Sequence, residues 1–349
     1  MPWTPNDKYL WDSWFAFKGD ELHAFYLQAD KAACGYQPEA RHNLASVGHA
    51  VMTRGGWQEL NGGPALARAA HGAWDDLAIW TGSVVPCEKT GGYLLFYTAR
   101  RREDELRWTP AEWQRPQHIG VAWSADLLMW QRTSATQRAP VIPNPDHAHG
   151  FDGVAWRDPY VMRATDEVDG LYYVFICARR NPEQGTSAPD AGGVVAYVTS
   201  PDLEHWSSVP TLVQCPDEFY QMEVPQVFWR AFADGKRCYL IFCAQEKDGS
   251  RARRKRGLAC VTGTYYLKSA LLPHDYVGVP AFDESARLLV AGLYAGKLLK
   301  PESDAQPVLL GFPYADAAGH FHGGISDPLL TRFADNGDLE LVEGEDAHG

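Results

Sequence analysis

Four stretches of the chain are apolar at almost every position: "HAFYLQA" from His23, "YLLFYTA" from Tyr93, "YYVFICA" from Tyr172 and "YLIFCA" from Tyr239. Each is rich in aromatic and β-branched residues and ends in Ala. All are too short for stable helices. Turn-forming or charged residues precede them, in "KGDEL", "KTGG", "EVDG" and "ADGKR". Short apolar runs bounded in this way predict strands. They begin 70, 79 and 67 residues apart, and "PVLLGFP" from Pro307 is a weaker fifth copy.

A second pattern keeps the same phase. "GVAWSADLLMW" ends at Trp130 and "VVAYVTSPDLEHW" at Trp206, and both contain Ser-x-Asp-Leu-x-x-Trp. "VGHAVMTRGGW", ending at Trp57, is an eroded version; the three tryptophans lie 73 and 76 residues apart. The repeating unit is therefore a strand, a loop, a second strand and a turn carrying Trp. An all-strand repeat near 70 residues, present five times in 349, predicts one five-bladed β-propeller with four antiparallel strands per blade. A two-sheet sandwich is the alternative, and two patterns in one phase argue against it. Residues 181–193, "NPEQGTSAPDAGG", have turn composition and read as a loop within one blade. No linker divides the chain, so residues 1–349 are expected to form a single domain, with no C-terminal β-sandwich.

Composition narrows the function. The net charge of −12 disfavours a polyanionic partner such as nucleic acid. The 13 Trp and 16 Tyr suit short strands and stacking on sugar rings. Seven irregularly spaced cysteines without a Cys-x-x-Cys give no zinc or redox motif. Cys177, Cys238, Cys243 and Cys260 sit in strand-like runs and read as small hydrophobes. The start "MPWTPNDKYL" lacks a secretory pattern, and no apolar run is long enough to span a membrane. A cytoplasmic protein without cofactor or metal is expected.

In a propeller, the first strand of each blade lines the central channel. Those strands should precede the apolar runs, starting near residues 11, 80, 156, 222 and 293: "WDSWF", "WTGSVV", "WRDPYV", "MEVPQVF" and "LYAGKLL". Three carry an acid near their start: Asp12, Asp158 and Glu223. Carboxylates from separate blades that converge on one funnel repel one another, so one should bind its proton more tightly. Glycoside hydrolysis needs this contrast between an ionised carboxylate and a protonated acid. Arg157 is expected to keep Asp158 ionised. Trp11, Trp14, Trp80 and Trp156 are candidate walls of the pocket. Ser83, Tyr294 and His49 complete the candidate substrate-binding set.

These motifs resemble the invertase and levansucrase clan of furanosidases, glycoside hydrolase families 32 and 68, along nearly the whole chain. "LWDSWFAF" is similar to the Trp-Asp-Ser/Thr-Trp motif of levansucrases, "GHAV" to the invertase Gly-His-Ala loop, and "WTGSVV" to its Ser-Gly-Ser segment. "WRDP" is similar to the clan's Arg-Asp-Pro, and "MEVPQVF" stands where the clan has Glu-Cys-Pro or Glu-Arg-Pro. The resemblance implies Asp12 as nucleophile, Asp158 as transition-state stabiliser and Glu223 as acid/base. It implies a retaining hydrolase of β-fructofuranosides, with the two reacting carboxyls about 5 Å apart. Valine after Glu223 departs from both patterns. A fructosyltransferase, an arabinofuranosidase-like hydrolase and a non-catalytic sugar-binding propeller are the alternatives.

Other features carry blander expectations. "RARRKR" (251–256) reads as a solvated loop rather than a phosphate site. The pairs His147/His149 and His320/His322 read as loop histidines, and His23 as a packing residue.

Overall fold

The computed structural model describes residues 2–60, 62–102, 115–145, 147–163, 170–181, 188–303 and 305–342. The described residues form five four-stranded antiparallel sheets, each built from consecutive strands in simple up-and-down order. Blade one holds β1 (Lys8–Lys18), β2 (Glu21–Asp30), β3 (Ser46–Thr53) and β4 (Gly56–Glu59). Blade two holds β5 (Ala78–Cys87), β6 (Gly92–Arg100), β7 (His118–Ser124) and β8 (Gln131–Arg132). Blade three comprises β9 (Phe151–Arg163), β10 (Tyr172–Arg180), β11 (Gly193–Ser200) and β12 (Thr211–Leu212). Blade four comprises β13 (Glu223–Phe232), β14 (Gly235–Ala244), β15 (Gly263–Lys268) and β16 (Arg287–Ala291). Blade five comprises β17 (Leu293–Leu299), β18 (Val308–Pro313), β19 (Leu329–Phe333) and β20 (Leu339–Leu341).

The apolar runs are the second strands, β2, β6, β10, β14 and β18. Packing between blades explains why they do not alternate with polar residues. Val174, Ile176 and Ala178 of β10 join a core with Phe96 and Val121 of blade two. Their neighbours Tyr173 and Phe175 face Leu240 and Phe242 of blade four. Both faces of a middle strand are thus removed from water, and alternation gives way to a continuous apolar run. The same holds in blade four, where Tyr239 and Ile241 pack toward blade five.

The Ser-x-Asp-Leu-x-x-Trp repeats form one kind of turn. Asp126 Oδ1 accepts from the N–H groups of Leu128 (2.9 Å) and Met129 (3.3 Å), and Asp202 Oδ1 from Glu204 (2.9 Å) and His205 (2.8 Å). The leucine between them takes a left-handed backbone, φ 72° at Leu127 and 63° at Leu203, and both leucines are buried. The closing tryptophan packs inward: Trp130 Nε1 donates to Leu127 O at 2.9 Å, and Trp206 meets Phe96 edge-on. Trp57 packs on Phe15 instead.

The ring closes without a strand exchanged between its ends. Trp3 and Ile325 exchange two backbone bonds of 2.8 Å, and Gly324 N donates to Leu10 O at 2.9 Å. Glycine is required beside this seam. Gly323 has φ +76°, and a Cβ there would lie 2.3 Å from Leu10 O.

Two smaller expectations change and one is met in its described part. "RARRKR" contains a short helix, Arg251–Lys255, and Arg253 is buried in an ion pair with Glu218 over the Phe219 ring. The carboxylate of Glu218 explains this, since it also takes Arg256. Cys260 lies before β15 rather than in it; all seven cysteines are free. Of the turn at 181–193, residues 182–187 lie outside the described residues, while the rest connects β10 to β11 as expected.

Candidate active site

Every first strand breaks its register near the channel. The shifts fall between Trp11 and Ser13, Trp80 and Gly82, Glu223 and Gln226, and Tyr294 and Lys297, and in β9 opposite Phe175 and Cys177. At four of these bulges a non-glycine residue has positive φ: Asp12 (32°), Asp158 (59°), Val224 (52°) and Ala295 (51°). A bulge adds a residue and redirects the side chains around it. The local strain, of order 1 kcal/mol or more per residue, is held by the packed blades.

The bulges turn Asp12, Asp158 and Glu223 into one funnel of about 550 Å³. Trp11, Trp80, Arg157 and Tyr294 also line it. Hydrogen bonds tie the three acids around the axis. Thr81 Oγ1 donates to Asp12 Oδ2 at 2.6 Å, and Thr98 Oγ1 to Thr81 O at 3.0 Å. Asp158 N donates to Thr98 Oγ1 at 2.8 Å, and Val224 N to Asp158 Oδ2 at 3.0 Å. Glu223 accepts from Arg157 Nη2 at 2.7 Å on one oxygen and from the Tyr294 hydroxyl on the other. Gln221 Oε1 takes Arg157 Nη2 at 2.8 Å, and Gln117 Oε1 takes its Nη1 at 3.3 Å.

The electrostatics depart from expectation. Burial, then the charge of Asp158, raises Asp12 to about 7 against the Thr81 bond. Burial also raises Asp158, to about 6. Arg157 opposes this rise, as expected, but burial outweighs it and Asp158 stays above the usual carboxylate range. The arginine's Nη2 is engaged by Glu223 and Gln221, and only its Nε approaches Asp158, at 3.5 Å. Of the three acids on the first strands, two rather than one bind their protons more tightly than usual.

Four candidates stand outside the funnel. Trp156 is fully buried in the core between blades two and three, edge-on to Phe151. Trp14 packs in the core between blades one and two, stacked on Phe25. It follows the bulge and so points to the sheet face rather than the axis. His49 is buried on that same face, stacked on Phe25 with its Nε2 2.9 Å from His23 Nδ1. Burial lowers both imidazoles, His49 to about 3. Ser83 lies beyond the bulge of β5, where its Oγ accepts from Val161 N at 3.1 Å and joins blades two and three.

The funnel has further walls that strand patterns could not reveal. Arg41 and His42 come from the β2–β3 connection, and Gln245, Lys247 and Asp248 from the segment after β14. Arg41 is buried over the Phe321 ring, 4.0 Å from its centre. Burial, then Glu223, raises Asp248 to about 6. Such residues lie on loops of irregular length, where periodicity carries no signal. The one grouping of three metal-type ligands among the described residues is Asp202, Glu204 and His205 in the turn after β11, none of which lines the funnel.

No protein-family model matches the chain, and no curated protein does. Solved structures match its fold. Fructan 1-exohydrolase IIa of Cichorium intybus aligns with a TM-score of 0.67, over 99% of this chain and 60% of its own, at 16% identity. The family 32 β-fructofuranosidase of Bombyx mori gives 0.64, over 98% and 64%, at 17%. Inulosucrase of Halalkalicoccus jeotgali, bound to kestose, gives 0.66, over 98% and 90%, at 16%. This chain spans about three fifths of the length of the first two. What the chain shares with all three is the five-bladed propeller.

Proposed function

We propose that the protein is a retaining glycosidase of the furanosidase type, acting on β-fructofuranosides. The observation that carries this reading is the convergence of Asp12, Asp158 and Glu223, each from a bulged first strand, on one funnel. Fold neighbours named for fructan hydrolysis and fructofuranosidase activity support it. Asp12 attacks the anomeric carbon as Glu223 protonates the departing oxygen, giving a covalent fructosyl-enzyme. Glu223 then takes a proton from water, which releases the sugar. Both Glu223 oxygens are engaged in the resting funnel, so one exchanges its donor for the leaving oxygen as substrate enters. Asp158 accepts from ring hydroxyls, bonds that strengthen as the oxocarbenium ion develops.

A second reading, fructosyl transfer, is favoured by "WDSW" at 11–14 and by the match to an inulosucrase over 90% of its length. Here a second sugar replaces water. The test is a screen of sucrose, kestose, inulin and aryl arabinofuranosides with chromatographic identification of products. Free fructose with the shortened leaving sugar, glucose in the case of sucrose, is expected for the hydrolase, and lengthened oligosaccharides for the transferase. Turnover only of arabinosides, or binding without turnover, would displace both.

A further inference from the structure

Behind the funnel wall lies a buried cation that the chemistry above does not use. Lys297 on β17 is 5% exposed and is not among the funnel's lining residues. Its Nζ donates to Val224 O at 2.9 Å and Pro225 O at 2.7 Å. Those carbonyls belong to the bulge that directly follows Glu223. The same Val224 gives its N–H to Asp158 Oδ2. One peptide segment thus joins the acid of blade three, the acid of blade four and the lysine of blade five.

The frame does not need a charge at this place. Gln226 already clamps β13 to β17, donating to Leu298 O at 2.9 Å and accepting from Leu298 N at 2.8 Å. A buried ammonium is costly unless opposite charge faces it. The groups facing Lys297 are Asp12 from β1, Asp158 from β9, the Cys243 thiol from β14 and the Tyr160 ring, 5.3 Å away. Of these, the two aspartates supply negative charge.

We propose that Lys297 is a positioning residue of the site: it locks the bulge that carries Glu223, and its positive charge opposes proton uptake by Asp158 and Asp12. Burial pulls Lys297 down to about 8, and the carboxylates oppose that pull. The inference rests on the furanosidase reading only for its kinetic consequence.

The test uses the full chain with carboxyl-labelled aspartate, titrated by NMR. Lys297→Gln keeps a donor for the carbonyls and removes the charge. It is expected to move the Asp158 midpoint upward, and the Asp12 midpoint upward by less, since loss of a nearby cation favours the neutral acid. Lys297→Arg should leave them in place. On the furanoside found by the screen, the acidic limb of kcat/KM should move with the midpoints in Lys297→Gln, with KM little changed. Lys297→Met fills the same volume and serves if the glutamine variant does not fold. Unmoved midpoints in a folded neutral variant would overturn the proposal, as would failure of both neutral variants to fold, which would assign Lys297 to the frame alone. Absence of turnover in the wild type would remove the furanosidase reading and leave the titration standing.

Discussion

At the scale of single residues, the funnel stores repulsion. Asp12 binds its proton more tightly folded than unfolded, so the folded state holds more protons between about 4 and 7. Stability therefore falls as pH rises through that window and stays reduced above it. Asp12→Asn removes the charge while keeping the shape. The variant should be more stable than wild type at pH 8, by about 1–3 kcal/mol, and indistinguishable near pH 4. Turnover should drop by about 10³-fold or more, because an amide cannot serve as nucleophile. Denaturation curves at both pH values and kinetics on the screened furanoside check this. A folded Asp12→Asn enzyme with near wild-type turnover would falsify the nucleophile assignment. In the wild type, kcat/KM should decline as pH falls through about 7 and 6, where Asp12 and Asp158 gain protons. Glu223→Gln should lose turnover on sucrose and keep part of it on aryl furanosides, whose leaving groups need little protonation.

At the scale of elements, the Asp of the repeated turn explains why a leucine tolerates left-handed backbone. The carboxylate holds two N–H groups at Asp126 and two at Asp202, and the buried leucine packs against the neighbouring blade. Asp126→Ala leaves those donors to water and frees the strain. A loss of about 1–2 kcal/mol is expected in urea denaturation, with activity unchanged at 25 °C. The apolar runs are legible for a related reason. Tyr172–Arg180 is buried on both faces, so every side chain must be apolar or paired, and the sequence shows it. The first strands are less legible. Their bulges leave little local signature, and a one-residue slip decides which face a side chain takes. Trp14, two residues past Asp12, therefore falls on the axis by pattern but lies in the core in the fold.

At the scale of the whole molecule, the ring closes through backbone contacts of the N-terminal segment rather than a shared strand. Gly323→Ala forces a methyl group against Leu10 O and adds a side chain at positive φ. The melting temperature should fall by several degrees, and hydrogen exchange should quicken first in β1 and β18, which flank the seam. Equal slowing or quickening across all five blades would argue that the seam is not the weak point.

The periodic information was local, and so the sequence alone could carry it: the number of blades, the phase of their strands, and the three acids that open blades one, three and four. These follow from side chains repeating at a fixed spacing, because each blade must bury the same faces. The contents of the funnel beyond those acids depended on tertiary structure. Arg41 and Asp248 reach it from loops without period, and His49 and Ser83 leave it for contacts within and between blades. The proton affinities of Asp12 and Asp158 belong to the same class. They arise from burial and from charges separated by scores of residues in the chain, and only closure of the ring brings those charges together.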